Sequence, residues 1–312
     1  SVAQLKKLKK RRSFYDNLTL FLLTLPGLVF LLVFNYAPMF GLVIAFKRID
    51  WGKGILKSDW VGFSNFSYLF SSDEAWTMTR NTIGYNILFI VIGTTVAIMV
   101  AIFMNEITSK FANRIYQTLI LLPYMISWVV CGYLVNALLS SETGLINLGI
   151  LSKLGIEPIV WYQEKKYWPF IILLVYIWKN IGFSMVIYLA SIVGISKEYY
   201  EAAKIDGAKK WKQIRYITLP LLKPTIITLL IMNIGSIFYS DFGLFFQLSQ
   251  GASGSIFKTT ATIDTYVYNA LQSSTPIGMT SAATFFQSVA CCITILLANA
   301  IVKKIDEDSA II

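Results

Sequence analysis

The chain has 312 residues, of which 56% are hydrophobic and only 14% charged, with 27 Lys and Arg against 17 Asp and Glu. Soluble chains carry about 25% charged residues, so a single water-soluble core cannot hide this much apolar surface, and the composition predicts an integral membrane protein. Histidine is absent, which excludes Ser-His and Cys-His nucleophile pairs, histidine metal ligation and imidazole acid–base chemistry.

The three cysteines, Cys131, Cys291 and Cys292, lie inside apolar runs and show neither disulfide nor metal-knuckle spacing. A helix rises about 1.5 Å per residue through an apolar layer about 30 Å thick, so a span needs about 20 mostly apolar residues. Six windows meet that requirement: 18–39, 81–104, 115–139, 168–194, 224–248 and 278–302. Backbone amides cannot go unpaired in lipid, and the runs lack the alternation of barrel strands. The expected fold class is all-α, with six transmembrane helices.

In chain order, a basic segment at 1–17 opens the sequence, with Lys6, Lys7, Lys9, Lys10, Arg11 and Arg12. It reads as a topology anchor against anionic lipid; no folded basic domain accompanies it, so nucleic acid is not an expected partner. The first window is too long for a signal-peptide core and no small-x-small cleavage site follows, so a retained span is expected. The flanks 1–17, 105–114, 195–223 and 303–312 hold 17 of the 27 Lys and Arg, and the alternate connections 47–80, 140–167 and 249–277 hold 9. By the positive-inside rule both termini are cytoplasmic. The outer connections carry aromatic stretches, Asp59 to Phe66 and Trp161 to Trp168, which suit an interfacial belt or a docking surface for an external protein. The main membrane domain then covers 18–302, with a cytoplasmic tail at 303–312.

Polar residues inside spans are costly and therefore informative. Lys179 lies in the fourth window and Asp241 in the fifth. Two readings stand: the pair neutralise each other across the bundle, or Lys179 snorkels to the outer interface. Trp128, Asn136, Asn180, Ser184, Tyr188, Asn233, Ser236, Tyr239 and Gln287 add amides, hydroxyls and flat aromatic faces. Each also suits helix–helix packing. Asn233, Ser236 and Tyr239, at i, i+3 and i+6 along the fifth window, form the leading cluster. No pair of interrupted spans in corresponding positions is visible.

The loop 195–223 stands apart. Ser196 suits a helix N-cap and Gly207 the left-handed residue that ends a short helix. A second stretch, 208–216, is expected to stop at Pro220, where the missing amide interrupts the ladder. Tyr199, Ala202, Ala203 and Asp206 share one helical face. That face suits a groove on another protein or the lipid headgroup layer, and spacing does not choose between them.

The run Glu201-Ala202-Ala203, Asp206-Gly207-Ala208, Trp211, Ile217-Thr218-Leu219-Pro220 and Pro224 resembles the Glu-Ala-Ala motif of ABC importer permeases. Ile214 departs from it, since many relatives have an aromatic residue there. Tyr36-Ala37-Pro38-Met39-Phe40-Gly41, Trp60-Val61-Gly62, Leu122-Pro123, Trp178-Lys179 with Gly182, and Thr265-Tyr266-Val267-Tyr268 are similar to the maltose-type, multiple-sugar and polysaccharide branch. The resemblance implies a type I ABC importer permease fold in the bacterial cytoplasmic membrane. It implies an ATPase-coupling site of Glu201, Ala202, Ala203, Asp206, Gly207, Ala208, Leu219 and Pro220. It also implies partners: a second homologous permease, two cytoplasmic ATPase subunits, an external solute-binding protein and a glycan substrate. By their own chemistry Asn233, Ser236, Tyr239, Trp128, Asn180 and Tyr188 are the candidate path for such a substrate.

The chain has no G-x-x-x-x-G-K-[ST] sequence. No catalytic, metal or cofactor-binding residue is therefore expected in it, and ATP and Mg would be used by the partner ATPase. An ABC permease for a non-sugar solute and an ion-gradient-driven carrier are the alternatives, and a membrane-embedded enzyme ranks behind both. The carrier gives no reason for the Glu-Ala-Ala loop.

Overall fold

A computed structural model describes residues 2–252 and 254–305, with side chains from residue 17 to 304. The side chains of the basic run Lys6 to Arg12 and most of the tail 303–312 lie outside the described residues. The fold divides into two compact units, one of 1–65 with 276–282 and one of 66–275 with 283–312.

In the first unit, α1 (Val2–Leu31) runs on through a widened turn and a 3-10 stretch, Ala37–Phe46. The apolar helical segment is Asn17–Phe46, longer than the window 18–39. A two-residue ladder follows, β1 (Lys47–Arg48) against β2 (Asp59–Trp60), pairing Lys47 with Trp60 and Arg48 with Asp59. Asn65 braces it by donating Nδ2 to the Ala45 and Lys47 carbonyls at 2.9 and 3.0 Å.

The second unit is a helical bundle. Helix α2 (Asp73–Glu106) includes a π turn at Phe89–Gly93. Helix α3 (Lys110–Met125) and helix α4 (Trp128–Leu139) meet at an angle of 95°. Then come α5 (Trp168–Val193), the short α6 (Lys197–Ile205), α7 (Lys210–Ile234), α8 (Phe242–Leu248), α9 (Ile263–Gln272) and α10 (Ile277–Ile305), whose first turns are counted with the other unit. Among the described residues five helices are long and apolar enough to cross a membrane, or six if the bent α3–α4 pair is one span.

Three expectations are corrected. The third window, 115–139, is not one straight helix: Pro123 sits in a 3-10 turn and extended residues at Ile126 and Ser127 end the helix. The fifth window, 224–248, is also divided, because α7 stops at Ile234 and Asp241 caps a new helix. Interrupted spans are therefore present. Pro220, by contrast, does not stop the chain. A π turn at Ile214–Thr218 precedes it and α7 runs through both Pro220 and Pro224, because the widened turn accommodates the missing amide bond.

Small residues set how closely the helices approach, as is usual where lipid removes the hydrophobic drive. Ala97 and Ala101 of α2 are fully buried with Met185, Tyr188 and Ile192 of α5 and Leu222 of α7. At Gly182 a Cβ would lie 2.3 Å from the Ile120 carbonyl oxygen, so α5 touches α3 backbone to backbone. Gly132 of α4 approaches the Gln247 carbonyl in the same way, at 2.9 Å. Gly182→Ala should lower the unfolding free energy by about 1–3 kcal/mol. Gly84→Ala, whose Cβ meets nothing within 4 Å, should leave the thermal midpoint of the purified protein unchanged or slightly raised.

Candidate functional site

Breaking a helix inside an apolar layer frees backbone carbonyls and amides that have no water to bond. Both breaks in this bundle are closed by side chains. At the α3–α4 break, Lys179 of α5 points its three donors at the Tyr124, Ile126 and Pro123 carbonyls, at 2.9, 2.5 and 3.5 Å. Its positive charge meets the negative end of the α3 dipole. Ser127 caps α4 by accepting from the Val130 amide.

At the α7–α8 break, Asn86 of α2 donates to the Ile237 and Tyr239 carbonyls, at 2.9 and 2.7 Å. Gln287 of α10 donates to the Phe238 carbonyl at 2.8 Å and to Asp264 at 3.2 Å. Asp264 accepts both the amide and the hydroxyl of Ser240, at 2.6 and 2.8 Å. Asp241 caps α8 by accepting from the Leu244 amide at 3.2 Å.

Between these two breaks and α2 lies a cavity of about 460 Å³. Asn86, Phe89 and Thr94 of α2, Tyr176, Asn180, Ser184 and Tyr188 of α5, Asn233 of α7, and Ser236, Tyr239, Ser240 and Asp241 of the break all line it, with Tyr124 and Phe183. Its walls combine stacked rings, Phe89 on Tyr176 at 3.7 Å and Tyr124 on Phe183 at 4.9 Å, with amides and hydroxyls. Such walls suit a ligand with apolar faces and a hydroxyl-rich rim.

Of the residues anticipated from sequence, Asn180, Ser184, Tyr188, Asn233, Ser236 and Tyr239 line this cavity. Asn233 does so from the last turn of α7, and Ser236 and Tyr239 from the turn after it rather than from one helix face. Trp128 stands behind the wall, its indole donating to Asp241 at 2.8 Å. Asn136 is away from the cavity and accepts from Gln250, and Gln287 holds the break.

The two expectations for Lys179 are both replaced. It is 6% exposed, so it does not snorkel, and no ion pair among the described residues joins it to Asp241. The carbonyls at the bend and the ring of Trp128, 5.0 Å away, hold it instead.

The 195–223 loop forms as its local signals direct. The Ser196 hydroxyl caps α6 by accepting from the Glu198 amide. Gly207 has φ +75°, and the Ala208 amide closes back on the Ala203 carbonyl at 2.8 Å, the 6→1 bond of a Schellman ending. Glu201, Ala202, Asp206 and Gly207 are exposed, Ala203 and Ala208 half-buried, and Leu219 and Pro220 sit exposed at the start of the long part of α7. Ile205 and Trp211 are 87% and 68% exposed. The loop is nonetheless anchored. Lys210 pairs with Glu106 of α2 at 2.6 Å, Tyr200 bonds Thr218 at 3.0 Å, and buried Gln213 donates to the Ala208 carbonyl at 2.8 Å.

Residues 93–307, more than half of the chain and including both breaks, the loop and most of the cavity wall, match the family model of the binding-protein-dependent transport system inner membrane component. The chain belongs to this family. It is similar to the polygalacturonan/rhamnogalacturonan transport system permease protein YteP of Bacillus subtilis, 34% identical over 97% of this chain and 94% of that protein. It is also similar to a solved bacterial ABC transporter involved in the import of the acidic polysaccharide alginate. One chain of that transporter superposes with TM-score 0.86 and 31% identity, over 96% of this chain and 99% of that one. The alginate transporter in complex with an alginate pentasaccharide-bound periplasmic protein gives TM-score 0.84 at 32% identity, over 94% and 97%. This inner-membrane component is thus a multi-pass transport subunit and not an enzyme.

Sequence reasoning missed Asn86, Tyr176, Ser240 and Asp264 in this subunit. Asn86 carried a usable signal, since it is an amide well inside the second apolar window. Asp264 carried none, because it lies outside every window and becomes relevant only when α9 folds back on the break. Asn86→Ala should destabilise the subunit by about 1–3 kcal/mol, because two carbonyls lose their donor. Asn180→Ala should be within about 0.5 kcal/mol of neutral, since its amide bonds only the Tyr176 carbonyl one turn back. Thermal unfolding of the purified protein compares the two.

Proposed function

We propose that this chain is the six-span permease half of an ATP-driven importer for an oligosaccharide or polysaccharide fragment delivered by an external binding protein. Both termini lie on the cytoplasmic side, the bent α3–α4 pair counts as one span, and 18–302 is the permease domain. The observation that carries the reading is the position of the cavity. Two of its walls come from α5 and α7, the helices that the Glu-Ala-Ala loop joins. A displacement of the loop is therefore a displacement of the cavity wall.

In this reading Glu201, Ala202, Ala203, Asp206, Gly207 and Ala208 sit in a cleft of a cytoplasmic ATPase, with Leu219 and Pro220 at the root of the lever. The small side chains admit a partner backbone closely, and Glu201 meets a basic residue at the edge. Exposed Ile205 and Trp211 are covered by the same partner. The exchange between inward- and outward-facing states is a rigid-element switch in which ATP binding and hydrolysis by two such ATPases bias the permease. ATP and Mg stay with those subunits.

A second, related permease faces this one and completes the path. Asn233, Ser236, Asn180 and Ser184 present hydrogen-bonding groups to sugar hydroxyls, while Tyr239, Tyr188, Tyr176 and Phe89 cover the apolar faces of the rings. The carbohydrate names of the relatives, polygalacturonan, rhamnogalacturonan and alginate, support the polymer class.

Uptake of a labelled oligosaccharide by cells carrying the complete system tests this. Glu201→Lys should lower uptake at least about tenfold with the subunits still assembled, since a like-charge contact costs several kcal/mol and about 1.4 kcal/mol is tenfold. Asn233→Ala should also lower uptake severalfold while ATPase binding to the loop is retained. Normal uptake in both variants would discard the assignment.

A further inference from the structure

Lys179, Trp128 and Asp241 form one unit that joins the two broken spans. The Lys179 ammonium closes the end of α3 and lies 5.0 Å from the centroid of the Trp128 ring and 5.6 Å from that of Tyr124, a cation–π arrangement strengthened where water is scarce. The same indole donates through Nε1 to Asp241 Oδ2 at 2.8 Å, and Asp241 Oδ1 caps α8. The ring is wedged in place. A Cβ on Gly243 would lie 2.3 Å from Trp128 Cδ1, so α8 admits the indole only because residue 243 has no side chain. Gly182 brings α5 against the α3 backbone one turn after Lys179.

We propose that Trp128 is a positioning residue through which Lys179 and Asp241 bind the α3–α4 and α7–α8 breaks into one moving body. The chain of contacts is closed. Helix α5 leads into the Glu-Ala-Ala loop, the loop into α7, and α7 into the break at 235–241. Asp241 then returns through Trp128 and Lys179 to α5. Near the loop, α5 and α7 are already joined by Leu222 packing against α5 and by the Ser191–Thr225 hydrogen bond at 3.1 Å; closing the ring at Trp128 joins their far ends as well, so that they turn together and carry α4 with them. A direct Lys179–Asp241 ion pair would lock the same elements, but its breaking would leave the buried Lys179 charge without a partner. The indole instead gives each charge its own permanent partner and transmits orientation between them. The proposal extends the transport reading, and one of its two readouts is independent of it.

The test is a double-mutant cycle in the complete transporter, with its partner permease and ATPases, in bilayer discs. Lys179→Met, Asp241→Ser (which keeps an N-cap hydroxyl) and the double variant are made with Trp128 intact and again with Trp128→Phe. Transport per ATP hydrolysed and thermal midpoint are both read. With Trp128 present, each single variant should lower coupled transport at least fivefold, the double should be no worse than the poorer single, and midpoint shifts should be non-additive in the same sense. With Trp128→Phe the two substitutions should become independent. Lys179→Arg, which keeps the donors and the ring contact, should restore coupling to within twofold of the unaltered protein.

Independent effects with Trp128 present, or non-additivity that survives Trp128→Phe, would overturn the proposal. If the Lys179→Met complex does not assemble, a cycle between Trp128→Phe and Asp241→Ser applies, with additivity as the contrary result. Absence of uptake in the unaltered complex would count against the transport reading alone, because the midpoint cycle needs no substrate.

Discussion

In hydrocarbon, a helix that stops must have its freed peptide groups matched by protein, since water is not there to do it. The bundle interrupts two of its apolar stretches, and buried or half-buried polar side chains from neighbouring helices answer both interruptions. Lys179 takes the carbonyls at the end of α3, Asn86 and Gln287 those after α7, and Asp264 the amide and hydroxyl of Ser240. Each of these side chains, three donors and the Asp264 acceptor, comes from a different helix, so the breaks also fix how α2, α5, α9 and α10 are arranged about them.

That space is the cavity. Its polar character is a by-product of the same chemistry: Asn86, Ser240 and Asp241 face it because they serve the break. Its aromatic character comes from α5 and the π turn of α2, where Phe89 is turned onto Tyr176. The loop between α5 and α7 is held by Glu106–Lys210 and by buried Gln213, and it exposes a face of small and acidic residues on a rigid base. The exposed loop and the cavity wall are thus the two ends of the same pair of helices.

The parts of this arrangement that were legible in the sequence are those governed by local rules. The windows at 81–104, 168–194 and 278–302 correspond to α2, α5 and α10, because an unbroken apolar helix needs only length and composition. Ser196 and Gly207 marked the ends of α6 for reasons contained within a few residues. The breaks were hidden because apolar composition continues across them: Val129, Val130, Phe242 and Leu244 look no different from span interior. Proline misled in both directions. Pro123 accompanies a true bend, whereas Pro220 and Pro224 are absorbed into α7, and only the neighbouring turn geometry separates the cases. Lys179 was recognised as costly, but its partners are main-chain carbonyls 53 to 56 residues away, which no side-chain pattern reveals.

Side chains from neighbouring helices hold the two breaks open within the membrane. An experimental structure of the assembled transporter in a lipid bilayer disc, at a resolution that shows side chains, tests this most directly. Bends at 126–127 and 235–241 are expected, with the Lys179 ammonium on the Tyr124 and Ile126 carbonyls and the Asn86 amide on those of Ile237 and Tyr239. A continuous helix through either segment, or Lys179 directed to the headgroup layer, would contradict it.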